Sequence, residues 1–220
     1  MRQRKLKDLD ERLERFGRYR LDSAIKYKDD WQRFFYERGA GFNMDTYLEI
    51  GCGKGNFLME HAEADPASNF IGIEYQQSVL VRALEKACSE ELNNVIFIDD
   101  KVYDVRDYFG TGELAGIYLN FSDPWPKARH AKRRLTHRDY LKAYCDVVRN
   151  GGMIEFKTDN DDLFGFTLEE IESLDLQVVE FAVDLHSSEF DSRNYMTEYE
   201  AKFMSMGKQI NYVKIKVERE

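Results

Sequence analysis

Asn120-Phe121-Ser122-Asp123-Pro124-Trp125-Pro126-Lys127 brings together a carboxylate, an indole and a cation in a stretch broken by two prolines. The apolar run before it, Gly116 to Leu119, reads as a buried strand, and proline cannot continue a central strand. The carboxylate and the indole are therefore presented at the carboxyl end of a strand, the edge where open α/β sheets bind ligands. Lys127, Arg129, Lys132, Arg133, Arg134 and Arg138 follow, with no acid before Asp139. A stacking ring, a carboxylate and a basic strip are the equipment of a site that handles a nucleobase on a polyanion. Trp125 serves either as a stacking surface or as a stiffener wedged between prolines. His130 and His137 read as bystanders in the strip.

A second constellation lies upstream, at Leu48-Glu49-Ile50-Gly51-Cys52-Gly53-Lys54-Gly55-Asn56-Phe57. Glycines at alternate positions allow a sharp turn and close approach of a ligand to the backbone, with helix amides facing it. A dinucleotide fingerprint needs Gly or Ala where Asn56 stands. Glu49, two residues before the first glycine, directs a carboxylate at the ligand, which suits a cation better than a pyrophosphate. S-adenosylmethionine, with a sulfonium, an ammonium and no phosphate, meets that requirement. Glu74 ends the next apolar run and is placed to accept both ribose hydroxyls of an adenosine. Asp99-Asp100-Lys101 ends the third, and pattern alone leaves open which of the three faces the pocket. Cys52 reads as a small loop residue rather than a nucleophile.

These residues need a scaffold, and the hydrophobic periodicity supplies one. Apolar runs at Thr46–Ile50, Asn69–Ile73, Val95–Ile98, Ala115–Leu119, Met153–Lys157, Gln177–Val183 and Tyr212–Val217 alternate with helical patterns at Gly55–Glu63, Gln77–Cys88, His137–Val148 and Leu163–Ser173. Such alternation predicts an α/β fold with a mostly parallel seven-stranded sheet and helices on both faces. The last two strands flank a polar loop, Leu185 to Met206, and predict an antiparallel C-terminal hairpin. Thr197-x-x-Glu200 has the form of a capping box, so a helix is expected to start at Thr197. Residues 5–36 read as charged helix, broken by Gly39-Ala40-Gly41. This sets a basic, charged N-terminal helical extension, 1–38, apart from a catalytic domain, 39–220.

At 220 residues and 43% hydrophobic, the chain can bury one good core. It has no apolar run of transmembrane length and no signal-peptide pattern, so a cytoplasmic protein without membrane contact is expected. Cys52, Cys88 and Cys145 are widely separated, which predicts neither a metal site nor a disulfide framework. A net charge of −9 excludes blanket binding of nucleic acid, so any basic surface must be local. Basic residues concentrate at Arg2–Arg20 and at Lys127–Arg138.

Leu48–Phe57, Tyr118–Lys127, Lys132–Thr136, Phe156–Asn160 and Met196–Phe203, in this order, resemble the bacterial tRNA (guanine-N7)-methyltransferases. The resemblance covers about residues 40 to 217. It implies a Rossmann-like class I S-adenosylmethionine-dependent methyltransferase, tRNA as partner, and methylation of guanine 46 in the variable loop. It also implies cofactor contacts from Glu49, Gly51, Gly53, Gly55 and Glu74. Asp123 is implied to sit between methyl donor and base as the catalytic residue, touching the cofactor as well. Lys127 and Asp159 are implied to touch the substrate, with Thr197, Glu198, Tyr199 and Glu200 as a substrate-binding motif. Lys101 falls where the family usually has a cofactor-binding Asp, so that role passes to Asp100 or is lost. Arg129, Lys132, Arg133 and Arg134 are expected on the RNA backbone. Either a monomer or a homodimer is compatible with the family.

Guanine N7 carries an in-plane lone pair and no proton, so direct in-line displacement needs orientation and negative potential rather than a strong base. Other classes fit less well. Enzymes that methylate exocyclic amines place two prolines before the aromatic residue, whereas here the second proline follows Trp125. A C5-pyrimidine mechanism needs a Pro-Cys nucleophile, which is lacking. A noncatalytic RNA-binding subunit would not need the intact Glu49 loop and Glu74.

Overall fold

The computed structural model describes residues 8–219, and the chain divides after Tyr103 into two compact units. The part of the basic Arg2–Arg20 cluster before Asp8 lies outside the described residues.

The first unit contains helix α1 (Leu9–Arg15), strand β1 (Arg20–Leu21), α2 (Trp31–Glu37), β2 (Asp45–Ile50), α3 (Asn56–Ala64), β3 (Ser68–Ile73), α4 (Gln77–Ser89) and β4 (Val95–Ile98). Its strands lie side by side in the order β1-β4-β3-β2, all parallel. Every residue of β3 and β4 is buried, the continuous apolar signature of parallel strands covered on both faces. Register is fixed by pairs such as Glu49 opposite Gly72 and Ile50 opposite Ile73, so β2 and β3 end level.

Residues 5–36 read as charged helix; the described part, from Asp8, is divided in the structure. α1 stops at Arg15, and Arg20 and Leu21 pair with Phe97 and Ile98 of β4. A second helix, α2, then buries Trp31 and Phe35. Ladder hydrogen bonds to β4 and the burial of Leu13, Tyr19 and Trp31 outweigh the helix propensity of the charged residues between. β1 is thus an eighth strand, beyond the seven read from periodicity.

The second unit contains β5 (Leu114–Asn120), α5 (Arg138–Val147), β6 (Val148–Thr158), α6 (Asp161–Ser173), β7 (Gln177–Ala182), α7 (Glu198–Ser205) and β8 (Asn211–Lys216). The order is β5-β6-β8-β7, with β5 parallel to β6 and the last two strands antiparallel, as the hairpin reading expected. α7 begins after Thr197, whose hydroxyl accepts the Glu200 N–H while the Glu200 side chain accepts the Thr197 N–H, so the capping box is formed. Beneath the β7–β8 connection, Ala182, Leu185, Ile210 and Tyr212 form a small buried cluster with Phe121, Phe190 and Phe203 packed against it. No helix among the described residues is long and apolar enough to cross a membrane.

Candidate active site

In the first unit, the turn from β2 into α3 holds Gly51, Gly53 and Gly55 at φ of +79°, +58° and +73°. Residues with a Cβ pay about 1–2 kcal/mol for that region, which accounts for glycine here. A Cβ on Gly51 or Gly53 would meet no atom within 4 Å, so the backbone there is open to a ligand. At Gly55 it would approach Ala83 Cβ to 2.8 Å, so this glycine serves packing. The amides of Gly51 and Cys52 donate to the Ile73 carbonyl at 2.8 and 3.2 Å, which ties the loop to the end of β3.

Glu49 and Glu74 are both buried, at 3% and 7% exposure. Glu74 is held by amides: Gly53 N–H donates to Oε2 at 3.2 Å and Gln76 N–H to Oε1 at 2.8 Å. Two buried carboxylates beside an open glycine backbone favour a cationic ligand over a diphosphate. No group of three acidic, His or Cys side chains among the described residues could hold a metal ion. Cys52 is buried, and burial, reinforced by Glu49 and Glu74, pushes its thiol well above the ordinary value. It is therefore no nucleophile, as its place in the loop had indicated.

Packing also sorts the three candidates after β4. Arg20 donates from Nε to Asp99 Oδ2 at 2.8 Å, and Gln77 donates to the same oxygen at 2.8 Å. Asp99 is thus committed to neighbours within the chain. Exposed Lys101 has its ammonium 5.1 Å from the Tyr103 ring centroid. Asp100 is half-buried, with Oδ1 accepting the Lys101 N–H at 2.7 Å.

In the second unit, β5 runs into the Asp123 turn. Phe121 still donates to the Lys157 carbonyl at 2.9 Å, yet it already has φ +51°, and Trp125 has φ +41°. Asp123 is exposed. Arg134 clamps the turn, donating from Nε to the Pro124 carbonyl and from Nη2 to the Trp125 carbonyl, both at 3.1 Å. Its guanidinium also lies 4.3 Å from the Phe166 ring centroid. Arg134, expected on the RNA backbone, thus gives two of its five N–H donors to the turn itself. Arg133 stands 4.9 Å from the centroid of the Trp125 ring, whose other neighbour is His130, edge-on at 5.7 Å. Lys127, Arg129, Lys132 and Arg133 are exposed. His137 caps α5 through Nδ1, a structural task in keeping with its reading as a bystander.

At the end of β6, Asp159 pairs with Lys208, whose ammonium lies 4.7 Å from the Phe203 centroid. Exposed Tyr199 stacks on Phe121 at 6.5 Å and 25°, so the α7 motif and the Asp123 turn meet. Thr197 and Glu200 are buried, whereas Glu198 and Tyr199 are exposed. Glu200 is fully buried and forms an ion pair with buried Lys157 at 3.3 Å.

A family model described as "Putative methyltransferase" matches residues 43–213. The tRNA (guanine-N(7)-)-methyltransferase of Clostridioides difficile is 42% identical over 211 residues, 96% of this chain and 96% of its own length. The chain belongs to the tRNA (guanine-N(7)-)-methyltransferase family. The Halalkalibacterium halodurans relative of the same name is 44% identical over 190 residues, 86% of this chain and 84% of its own. Among solved structures, an antibiotic-related methyltransferase covers 89% of this chain and 94% of its own, with a TM-score of 0.61. At 17% identity that likeness is one of fold, and it gives this methyltransferase the class I architecture expected from sequence.

The family match begins just before β2 and ends within β8, so α1, β1 and α2 precede it. Three side chains of this methyltransferase had no role assigned from sequence: Arg20, Lys157 and Lys208. Two of them left a trace there: Arg20 closes the basic Arg2–Arg20 cluster, and Lys157 is the cation that ends the Met153–Lys157 run.

Proposed function

We propose that the chain transfers a methyl group from S-adenosylmethionine to N7 of guanine 46 in the variable loop of tRNA. The observation that carries the reading is the pair of buried carboxylates, Glu49 and Glu74, flanking an open glycine backbone. When bound, S-adenosylmethionine supplies an electrophilic methyl carbon and leaves as a neutral thioether. Glu49 faces the cationic amino-acid end, Glu74 accepts the ribose hydroxyls, and Gly51 and Gly53 admit the ligand to the backbone. Asp100 takes the adenine, since Asp99 is committed to Arg20 and Gln77.

Residues of the second unit hold the guanine. N7 has no proton to lose, so their work is orientation and charge. Asp123 or Asp159 accepts hydrogen bonds from the N1–H and exocyclic amine, aligning the ring and offsetting the positive charge that develops on the purine. Lys127, Thr197, Glu198 and Tyr199 complete the substrate contacts. Arg129, Lys132 and Arg133 meet phosphates, giving affinity and register rather than sequence information. Residues 1–38 act as an extension of a catalytic domain spanning 39–220. The enzyme works in the cytoplasm, as a monomer or homodimer.

Incubation with unmodified tRNA transcript and labelled S-adenosylmethionine, followed by mass spectrometry of the nucleosides, tests this. 7-Methylguanosine is expected and disappears when guanine 46 is replaced. Label on adenine would refute the reading.

A further inference from the structure

Glu200 belongs to the α7 motif, yet none of its surface reaches solvent. A carboxylate offers about four lone-pair directions. Here Oε2 accepts from Lys157 Nζ at 3.3 Å and from the Thr197 N–H at 3.2 Å. Oε1 accepts from Asn194 Nδ2 at 2.6 Å and lies 3.3 Å from His186 Nε2. Three donors thus hold the carboxylate, and its complete burial shuts it off from a guanine. Lys157 is engaged just as completely. Its ammonium donates to Asn194 Oδ1, to the Tyr195 carbonyl at 3.0 Å and to Glu200, the three bonds available to it.

Lys157 is paired on both sides, with Asn120 of β5 and Tyr212 of β8, so its backbone is rigid. Its carbonyl holds the Phe121 N–H at the head of the Asp123 turn, while its side chain holds the segment leading into α7. One residue thus fastens both substrate-facing segments.

We propose that Lys157 and Glu200 form a buried ionic latch. It positions Thr197, Glu198 and Tyr199 for guanine, and Glu200 acts on the reaction only through it. The proposal rests on the guanine-binding role of the α7 segment. Both groups are positioning residues.

The test compares Lys157→Met, Glu200→Gln and the double variant in the full chain. Measured are kcat and KM for tRNA, S-adenosylmethionine affinity, and amide hydrogen exchange across residues 194–201. Each single variant strands a buried charge. In each, kcat/KM for tRNA is expected to fall on the order of 10²-fold and amide protection to drop, with cofactor affinity within about twofold of the parent. The double variant strands no charge, although the Tyr195 carbonyl and Asn194 Oδ1 lose a donor, and it is expected to regain at least tenfold in kcat/KM together with most of the protection. A double variant as inactive as Glu200→Gln, with protection restored, would overturn the latch and make Glu200 a direct substrate contact. Loss of cofactor binding in the double variant would overturn it too, because Glu49, Glu74 and Asp100 lie in the first unit and both substituted residues in the second. If a single variant fails to fold, the double variant decides by the same criteria. Failure of the parent reading shows separately, as absence of 7-methylguanosine from the unmodified chain, while the exchange data still report on the latch.

Discussion

Replacing Arg134 by Ala removes two charge-assisted hydrogen bonds, to the carbonyls of Pro124 and Trp125. Such bonds contribute about 1.5–3 kcal/mol each, and for a half-buried guanidinium the low end applies, or about 3 kcal/mol for the pair. Opposing them is the backbone strain of Phe121 and Trp125 at positive φ, about 1–2 kcal/mol apiece. Clamp and strain are of similar size, so without Arg134 the turn has little reason to keep Asp123 in place. A net loss of 1.5–3 kcal/mol corresponds to a competent population roughly 10- to 150-fold smaller. The assay is methyl transfer over a range of tRNA concentrations, which gives kcat at saturation and kcat/KM below it, with log(kcat/KM) followed against log salt. A charge that meets a phosphate contributes about 0.7–0.9 to that slope. Arg134→Ala is expected to lower kcat and leave the slope unchanged, whereas Arg129→Ala lowers the slope. Arg134→Lys does not restore kcat, since an ammonium lacks the planar fork that spans two carbonyls. An Arg134→Ala enzyme with normal kcat and a slope reduced by about 0.7 would refute the clamp and return Arg134 to the phosphate contacts.

Four further outcomes are expected. Asp123→Ala abolishes turnover with S-adenosylmethionine affinity intact, as calorimetry reads it; equal loss of both would make Asp123 a cofactor ligand instead. Gly72→Ala puts a Cβ 2.7 Å from Cys52 Sγ and from Phe97, so urea unfolding should show a loss of about 1–3 kcal/mol, and unchanged stability would contradict the packing. Glu170 is bound by the guanidinium and the amide of Arg138, and the hydrogen bonds of the Arg138 side chain hold its carboxyl below the usual range. Because the folded value is depressed, this stabilisation is present above the unfolded value, about 4.3, and is lost as pH falls through the folded one; Glu170→Gln should flatten acid unfolding there. Cys52 has a raised folded value, so stability should decline as pH climbs past the ordinary thiol value of about 8.5, and Cys52→Ala should remove that slope. Neutral-pH alkylation of the folded enzyme should likewise miss Cys52, as mass mapping would show.

Features written within a few residues were legible in the sequence. Period-2 and continuous apolar runs marked seven strands, six of them to within a residue of their observed limits, while β6 begins at Val148, five residues before the run read at Met153; Thr197-x-x-Glu200 marked the start of α7. Glycine spacing marked a turn at positive φ, because that conformation is a property of the residue itself. The order of the motifs was enough to place the chain in its family. Only the tertiary structure decided which charges are spent inside the protein. Arg20 reaches Asp99 across 79 positions of sequence, and Lys157 reaches Glu200 across 43. β1 likewise exists through its pairing with β4, against a local preference for helix. Periodicity and turn chemistry are local, whereas a side chain's charge is free or committed according to what the packed chain brings within about 3 Å of it. The sequence therefore named candidate acids and bases, and the fold separated those that stay exposed from those committed to partners within the protein.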